Sequence, residues 1–111
     1  MKRASFLSNV SYNETKPKID VMLDTEVSKE IRIALDREQE MKEHQTPFPI
    51  MVQLLSGEID FGVNGEKFRL LSGDIISLEG SVPHDLFAIE PSIIRLSLTK
   101  SDSAERVRNI Q

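Results

Sequence analysis

Two histidines, His44 and His84, are the only imidazoles in this chain of 111 residues, and each lies beside a proline-containing break between apolar segments. Imidazole nitrogens bind transition metals, exchange hydrogen bonds with ligands and transfer protons near neutral pH. The chain contains no cysteine, which excludes disulfides, thiolate metal sites and a cysteine nucleophile. The chemistry of the molecule therefore depends first on whether the fold brings the two histidines together.

The composition is that of one folded domain. Apolar residues make up 39% of the chain and charged residues 29%, which is ordinary for a globular protein of this length. The net charge is −4 and the basic residues are scattered, so nucleic acid is not an expected partner. No apolar run approaches the length needed to span a membrane. The expected compartment is the cytoplasm.

Three segments are predicted from the pattern along the chain. Residues 1–18 are polar without periodicity and predict an irregular N-terminal arm, and residues 19–100 predict a β-barrel. The sequence predicts a short C-terminal tail over residues 101–111, in which Ser or Asp is available to cap a short helix.

Alternation of apolar and polar residues predicts the strands. Ile31, Ile33 and Leu35 lie on one face of the first of them. Residues 36–42, DREQEMK, predict a connecting segment, and Ser56-Gly57 predicts a turn. Strands are predicted over residues 29–35, 50–55, 58–63, 68–71, 75–78, 82–89 and 92–99. So many short strands without a long helix indicate an all-β sandwich or barrel.

Asn64-Gly65 stands directly between two alternating segments. This dipeptide favours a type I′ turn, in which both central residues take a positive φ angle. The sequence therefore predicts a tight hairpin at this point.

The order of these features resembles the cupin superfamily, in particular its small single-domain members. The family's signatures are G-x5-H-x-H-x3,4-E-x6-G and G-x5-P-x-G-x2-H-x3-N, and His44, Gly57, Gly73 and His84 match them at the right spacing. The resemblance implies an antiparallel β-barrel of the jelly-roll type, also called a double-stranded β-helix. It also implies a homodimer in which edge strands and the N-terminal arm pair across a two-fold axis.

Several signature positions depart from the family pattern. Thr46 stands where the second histidine is expected and Ile50 where the glutamate is expected. The remaining departures are Glu38, Glu79, Ser81 and Ala88, in place of glycine, proline, glycine and asparagine. The resemblance implies a divalent transition metal, zinc, iron, manganese or nickel, at His44 and His84, but half of the usual ligand set is missing.

Strand parity predicts which residues line the site. Residues an even number apart on one strand face the same side. Val52 should therefore lie on the same face as Ile50, and Leu86 on the same face as His84. The predicted ligand pocket is lined by His44, Thr46, Ile50, Val52, His84 and Leu86. Such a lining, apolar except for two rings and a hydroxyl, favours a small and mostly apolar ligand.

Three classes of function remain open at this point. The first is binding of a small molecule in the barrel interior around His44 and His84. The alternative is a degenerate metal-dependent enzyme, an isomerase or oxygenase, in which Glu40 or Glu43 completes the ligand set. A scaffold for subunit assembly is a third class.

Overall fold

The computed structural model describes residues 1–100, which fold into seven antiparallel β-strands. The strands are β1 (Lys18–Asp24), β2 (Ser28–Leu35), β3 (Glu40–His44), β4 (Ile50–Val63), β5 (Glu66–Leu71), β6 (Ile75–Leu78) and β7 (His84–Thr99). None of the described residues is helical, so no helix among them is long and apolar enough to cross a membrane. The predicted C-terminal tail lies outside the described residues.

The two long strands β4 and β7 connect both halves of the sheet. The hydrogen-bonded order is β1-β2-β7-β4-β5, with β3 added to β7 and β6 added to β4. The first part of β4 pairs with β6 and the last part of β7, whereas its second part pairs with β5 and the first part of β7. Strands β4 and β7 thus take part in both halves, and the sheet folds over into an all-β barrel whose apolar side chains are directed inward, with β1 and β5 at the two ends of the strand order.

The core follows the predicted strand parity. Ile50, Val52 and Leu54 are at most 3% exposed, while Met51, between them, is 52% exposed. The cluster of buried apolar side chains draws on β2, β4, β5 and β7, and contains Ile31, Ile33, Leu35, Ile50, Val52, Leu54, Ile59, Phe61, Leu70, Leu86, Ala88 and Ile94. The barrel interior is therefore filled largely by side chains.

The hairpin predicted at Asn64-Gly65 is confirmed. The φ angles of the two residues are 53° and 77°, as a type I′ turn requires. This turn pairs Val63 with Glu66 and Phe61 with Phe68 across β4 and β5.

The predicted turn at Ser56-Gly57 is wrong, because the chain continues through it as one bent strand. The pairing of β4 with β7 shifts register between Leu54 and Ile59. Gly57 has a φ angle of 108°, a conformation that glycine adopts without a steric penalty. The residue therefore bends β4 rather than reversing it. The two strands predicted over 82–89 and 92–99 likewise form the single strand β7.

The prediction of a plain connecting segment over residues 36–42 is also wrong at its end. Strand β3 begins at Glu40 and pairs with the start of β7. Of residues Glu40–Lys42, only Met41 is apolar. This composition suits an edge strand of which only one side packs on the core. A strand with so little apolar character gives little periodic signal.

Candidate functional site

The fold brings His44 and His84 into contact. His44 ends β3 and His84 begins β7, and the two are cross-strand partners in the antiparallel pair. Their ring centroids lie 4.3 Å apart, with an angle of 58° between the ring planes. His84 is only 3% exposed, whereas His44 is half-buried. The pair therefore reaches from the core toward solvent.

Both rings are oriented by the backbone in the same way. The Nδ1 atom of His44 lies 2.9 Å from the carbonyl oxygen of Lys42, and that of His84 lies 3.0 Å from the carbonyl oxygen of Val82. A carbonyl oxygen only accepts hydrogen bonds, so each Nδ1 carries the proton. In the neutral form of a ring that is held in this way, the lone pair is on Nε2, and neither Nε2 has a hydrogen-bond partner among the residues that the structure describes.

An aromatic side chain supports the buried ring from the core. Phe61, in β4, is 1% exposed and stacks on His84, with centroids 5.6 Å apart and planes 13° apart. Burial lowers the pKa of His84 below the usual value for histidine, and the neighbouring His44 lowers it further. The hydrogen bond to Val82 and the charge of Asp85 act in the opposite direction without reversing the shift. His84 is therefore neutral at neutral pH.

This pKa shift predicts how stability depends on pH. The unfolded chain takes up a proton on His84 near pH 6.5, whereas the folded chain does so only at a lower pH. The free energy of unfolding should therefore decrease as the pH falls from about 6.5 through the lowered folded pKa. Urea unfolding at a series of pH values measures it.

The matched control for this prediction is His84→Phe, which keeps a ring against Phe61 but does not titrate. The wild-type protein should lose more stability than the variant over this pH range. Parallel pH profiles for the two proteins would show that His84 does not contribute.

The other predicted lining residues lie in two places. Val52 and Leu86 are 2% and 4% exposed and belong to the core cluster. Thr46 and Ile50 line a separate apolar recess of about 220 Å³ together with Phe48 and other residues. The hydroxyl of Thr46 donates to the carbonyl oxygen of Phe48 at 3.0 Å. The pairing register sets Ile50 beside Leu78 and Leu98 rather than beside either histidine.

The register also reveals neighbours of the histidines that the sequence pattern did not single out. Val63 is the cross-strand partner of His84 on one side and of Glu66 on the other. Directly paired residues present their side chains on the same face of a sheet. His44, His84, Val63 and Glu66 thus form one row across four strands. The Asn-Gly hairpin contained the signal, since a two-residue turn pairs the residues on either side of it.

The carboxylates considered as additional metal ligands lie elsewhere. Glu40 is the partner of Phe87 rather than of an inward-facing residue. Glu40 and Glu43 both line a surface groove beside β3 that also contains Asp60 and Asp85. Within residues 1–100, no three His, Cys, Asp or Glu side chains are grouped so that they could hold a metal ion. Two imidazoles alone do not fit a tightly held metal.

Comparison with known proteins identifies the fold. No protein-family model and no curated protein matches the chain, but many solved structures do. An RmlC-like cupin protein from Desulfovibrio desulfuricans superimposes with a TM-score of 0.83 at 19% identity, covering 89% of this chain and 96% of that one. A double-stranded β-helix protein from Klebsiella pneumoniae gives a TM-score of 0.78 at 22% identity, with 89% of each chain covered.

A cupin superfamily protein from Desulfitobacterium hafniense superimposes equally well, with a TM-score of 0.78 at only 12% identity, covering 89% of this chain and 92% of that one. These identities are low, and the likeness is one of fold. The chain is a small domain with the cupin fold, as the sequence predicted.

Proposed function

We propose that this cupin-fold domain binds a small molecule at the mouth of the barrel, with His44 and His84 as its polar contacts. The observation that carries the proposal is the arrangement of the two rings. Their centroids are 4.3 Å apart, and both Nδ1 atoms are directed to backbone carbonyl oxygens. Two Nε2 acceptors are thereby left close together beside an apolar core, which is typical of a ligand site.

The arrangement favours a particular ligand chemistry. An imidazole whose proton is on Nδ1 accepts a hydrogen bond at its free Nε2 atom, so the ligand should carry O–H or N–H donors. The lowered pKa of His84 makes this ring a poor partner for an anion at neutral pH. Val63, the half-buried cross-strand partner of His84, favours an apolar portion in the same ligand. A small, uncharged molecule with neighbouring hydroxyl or amide groups meets these conditions.

The second candidate is a metal-dependent cupin enzyme, an isomerase or oxygenase. Its support is that the same two Nε2 atoms are also free to bind a divalent ion such as zinc, iron, manganese or nickel. The described residues provide no third ligand, so a bound ion would depend on water or substrate for its remaining positions. Binding without a resident metal accounts better for the ligands present.

A thermal-shift screen with small hydroxyl- and amide-bearing compounds tests the proposal. A ligand at about 100 times its Kd should stabilise the folded chain by about 2.7 kcal/mol. The stabilisation should be lost in His44→Phe, which keeps a ring at this position but has no lone pair to accept a hydrogen bond. Elemental analysis of the same preparation separates the two candidates, because a stoichiometric transition metal would favour the enzyme.

We also propose that two copies of the chain associate through β1. Within the described chain, β1 pairs only with β2 and forms one end of the sheet order. Its residues Ile19 and Val21 are 55% and 57% exposed. An edge strand with exposed apolar side chains favours pairing with another chain.

Sedimentation analysis checks this association. The wild-type chain should be a dimer, and Val21→Lys should shift it to a monomer, because a charge would be placed within the apolar contact. Leu71→Lys is the matched control, since Leu71 is 53% exposed but lies on β5. A monomeric wild-type chain would contradict the proposal.

A further inference from the structure

A groove of about 510 Å³ lies on the outer face of the barrel, between the N-terminal arm and strands β1, β2, β4 and β7. Its lining includes Phe6, Leu7, Leu23, Glu30, Leu55 and Arg95. On β7, the side chains of Ile94 and Leu96 face the core, as that of His84 does, and Arg95, between them, faces outward. The groove and the histidine pair are therefore on opposite faces of the sheet.

Arg95 is held in position at the floor of this groove. Its Nε atom donates to Oε1 of Glu30 at 2.9 Å, and its cross-strand partners are Arg32 and Gln53. Its two terminal guanidinium nitrogens have no hydrogen-bond partner in the part of the chain that the structure describes. The side chain is 41% exposed. A fixed guanidinium with both terminal nitrogens available is suited to a carboxylate, which it binds through two parallel hydrogen bonds.

Glu30 does not compete for these terminal nitrogens. Its Oε1 atom accepts from Arg95, and its Oε2 atom accepts from the hydroxyls of Ser28 and Ser97 at 2.8 and 2.7 Å. With Glu30 only 8% exposed, both of its oxygens are satisfied inside the protein. The acidic residue thus positions Arg95 and leaves its outer edge free.

The charges around Arg95 are unbalanced in favour of an anion. Arg32 is buried and donates to Oδ2 of Asp20 at 3.3 Å, and Asp20 is also paired with Lys18 at 2.9 Å. Two cations, Lys18 and Arg32, therefore share one carboxylate, Asp20, and this ion-paired group carries one net positive charge. Arg32 is the cross-strand partner of Arg95, so this charge lies beside the Arg95–Glu30 pair and favours the carboxylate of a ligand there.

The remaining lining is apolar. Phe6 and Leu7 of the arm form one wall, and Leu23 and Leu55 contribute from the strands. Two hydrogen bonds from Arg32 tie the arm to the sheet, at 3.3 Å to the carbonyl oxygen of Phe6 and 2.9 Å to that of Ser8. The walls on both sides of Arg95 are thus held by the fold, and they suit a short hydrocarbon chain.

We propose that this outer groove binds a monocarboxylate with a short apolar chain, whose carboxylate pairs with Arg95 and whose chain packs between the arm and the sheet. The site is separate from the one formed by His44 and His84. Each can therefore be present without the other.

Titration of hexanoate into the ¹⁵N-labelled full chain, followed by amide chemical shifts, tests this site. Saturable shifts are expected at Gln53, Leu55 and Arg95, with hexanamide binding at least about tenfold more weakly because it lacks the charge that strengthens the bonds to Arg95. Arg95→Gln should lose hexanoate binding by a similar factor.

Two further variants keep the result interpretable. Leu7→Glu places a carboxylate at an exposed part of the wall without disturbing the pair of Arg95 and Glu30, and it should weaken hexanoate binding. Arg69→Gln, which removes an outer-face arginine of β5, should leave it unchanged. Equal binding of hexanoate and hexanamide, undiminished binding by Arg95→Gln or no saturable shift would overturn the proposal. Shifts of the Gln53, Leu55 and Arg95 amides with protein concentration alone in the Val21→Lys variant, in which association through β1 is removed, would also overturn it, because a second copy would then occupy the groove.

Discussion

Replacement of Phe61 by alanine is expected to lower the free energy of unfolding by about 3–5 kcal/mol, the usual range for removing a buried phenylalanine. Phe61 is 1% exposed and belongs to the single core cluster of the barrel. The ring also stacks on His84, so the variant removes the support of the buried imidazole. Urea unfolding of the two proteins measures the difference.

The matched control is Phe68→Ala, because Phe68 is the cross-strand partner of Phe61 but is 45% exposed. Its replacement should cost about 1–2 kcal/mol, since less apolar surface is lost. The pKa of His84 provides a second readout. It should rise toward the usual value in Phe61→Ala, where water gains access to the ring. Equal losses of stability in the two variants would contradict the assigned core.

Gly57→Ala should cost about 3–5 kcal/mol, from steric overlap and backbone strain together. A β-carbon at this position would lie 2.5 Å from the carbonyl oxygen of Pro91 and 2.7 Å from the Cα of Ser92. Both contacts are with backbone of β7, which cannot move aside without disturbing the bend. The φ angle of 108° is also unfavourable for alanine. Unfolding by denaturant measures the loss.

Gly73 separates the two contributions. Its φ angle of 98° is similar, but a β-carbon there would meet nothing within 4 Å. Gly73→Ala should therefore show the strain alone, at about 1–2 kcal/mol. If the two variants lose the same stability, the close approach of β4 and β7 at Gly57 is not what requires glycine.

Much of the fold could be predicted from local patterns. The alternation of Ile31, Ile33 and Leu35 predicted a strand, and Asn64-Gly65 predicted a hairpin; both are present. The prediction that only one face of this strand is buried is wrong, because the N-terminal arm lies over the other face, where Arg32 donates to the carbonyl oxygens of Phe6 and Ser8. Strand β3 was missed because the sequence from Glu40 to His44 is largely polar. The bends of β4 and β7 were missed because Ser56-Gly57 and Glu90-Pro91 have the composition of turns. Only the pairing of β4 with β7 shows that these two dipeptides form bulges within continuous strands.

The candidate site was predictable to a smaller extent. The spacing of His44 and His84 within the cupin-like signatures predicted that they belong together, and the fold places them in contact. The stacking of Phe61 on His84, and the row that extends to Glu66, depend on the register between β4, β5 and β7. Parity along one strand does not give this register. It also could not show that Thr46 and Ile50 line a recess of their own.

Long-range ¹H–¹⁵N spectra of the imidazole nitrogens, recorded while the best compound of the thermal-shift screen is titrated into the protein, test the central claim most directly. In the free protein both rings should carry the proton on Nδ1. On saturation, the Nε2 resonances of His44 and His84 should shift as they accept hydrogen bonds from the ligand. A proton on Nε2 of either ring in the free protein, or Nε2 resonances that stay unchanged when the compound binds, would contradict the assignment of this pair as the ligand site.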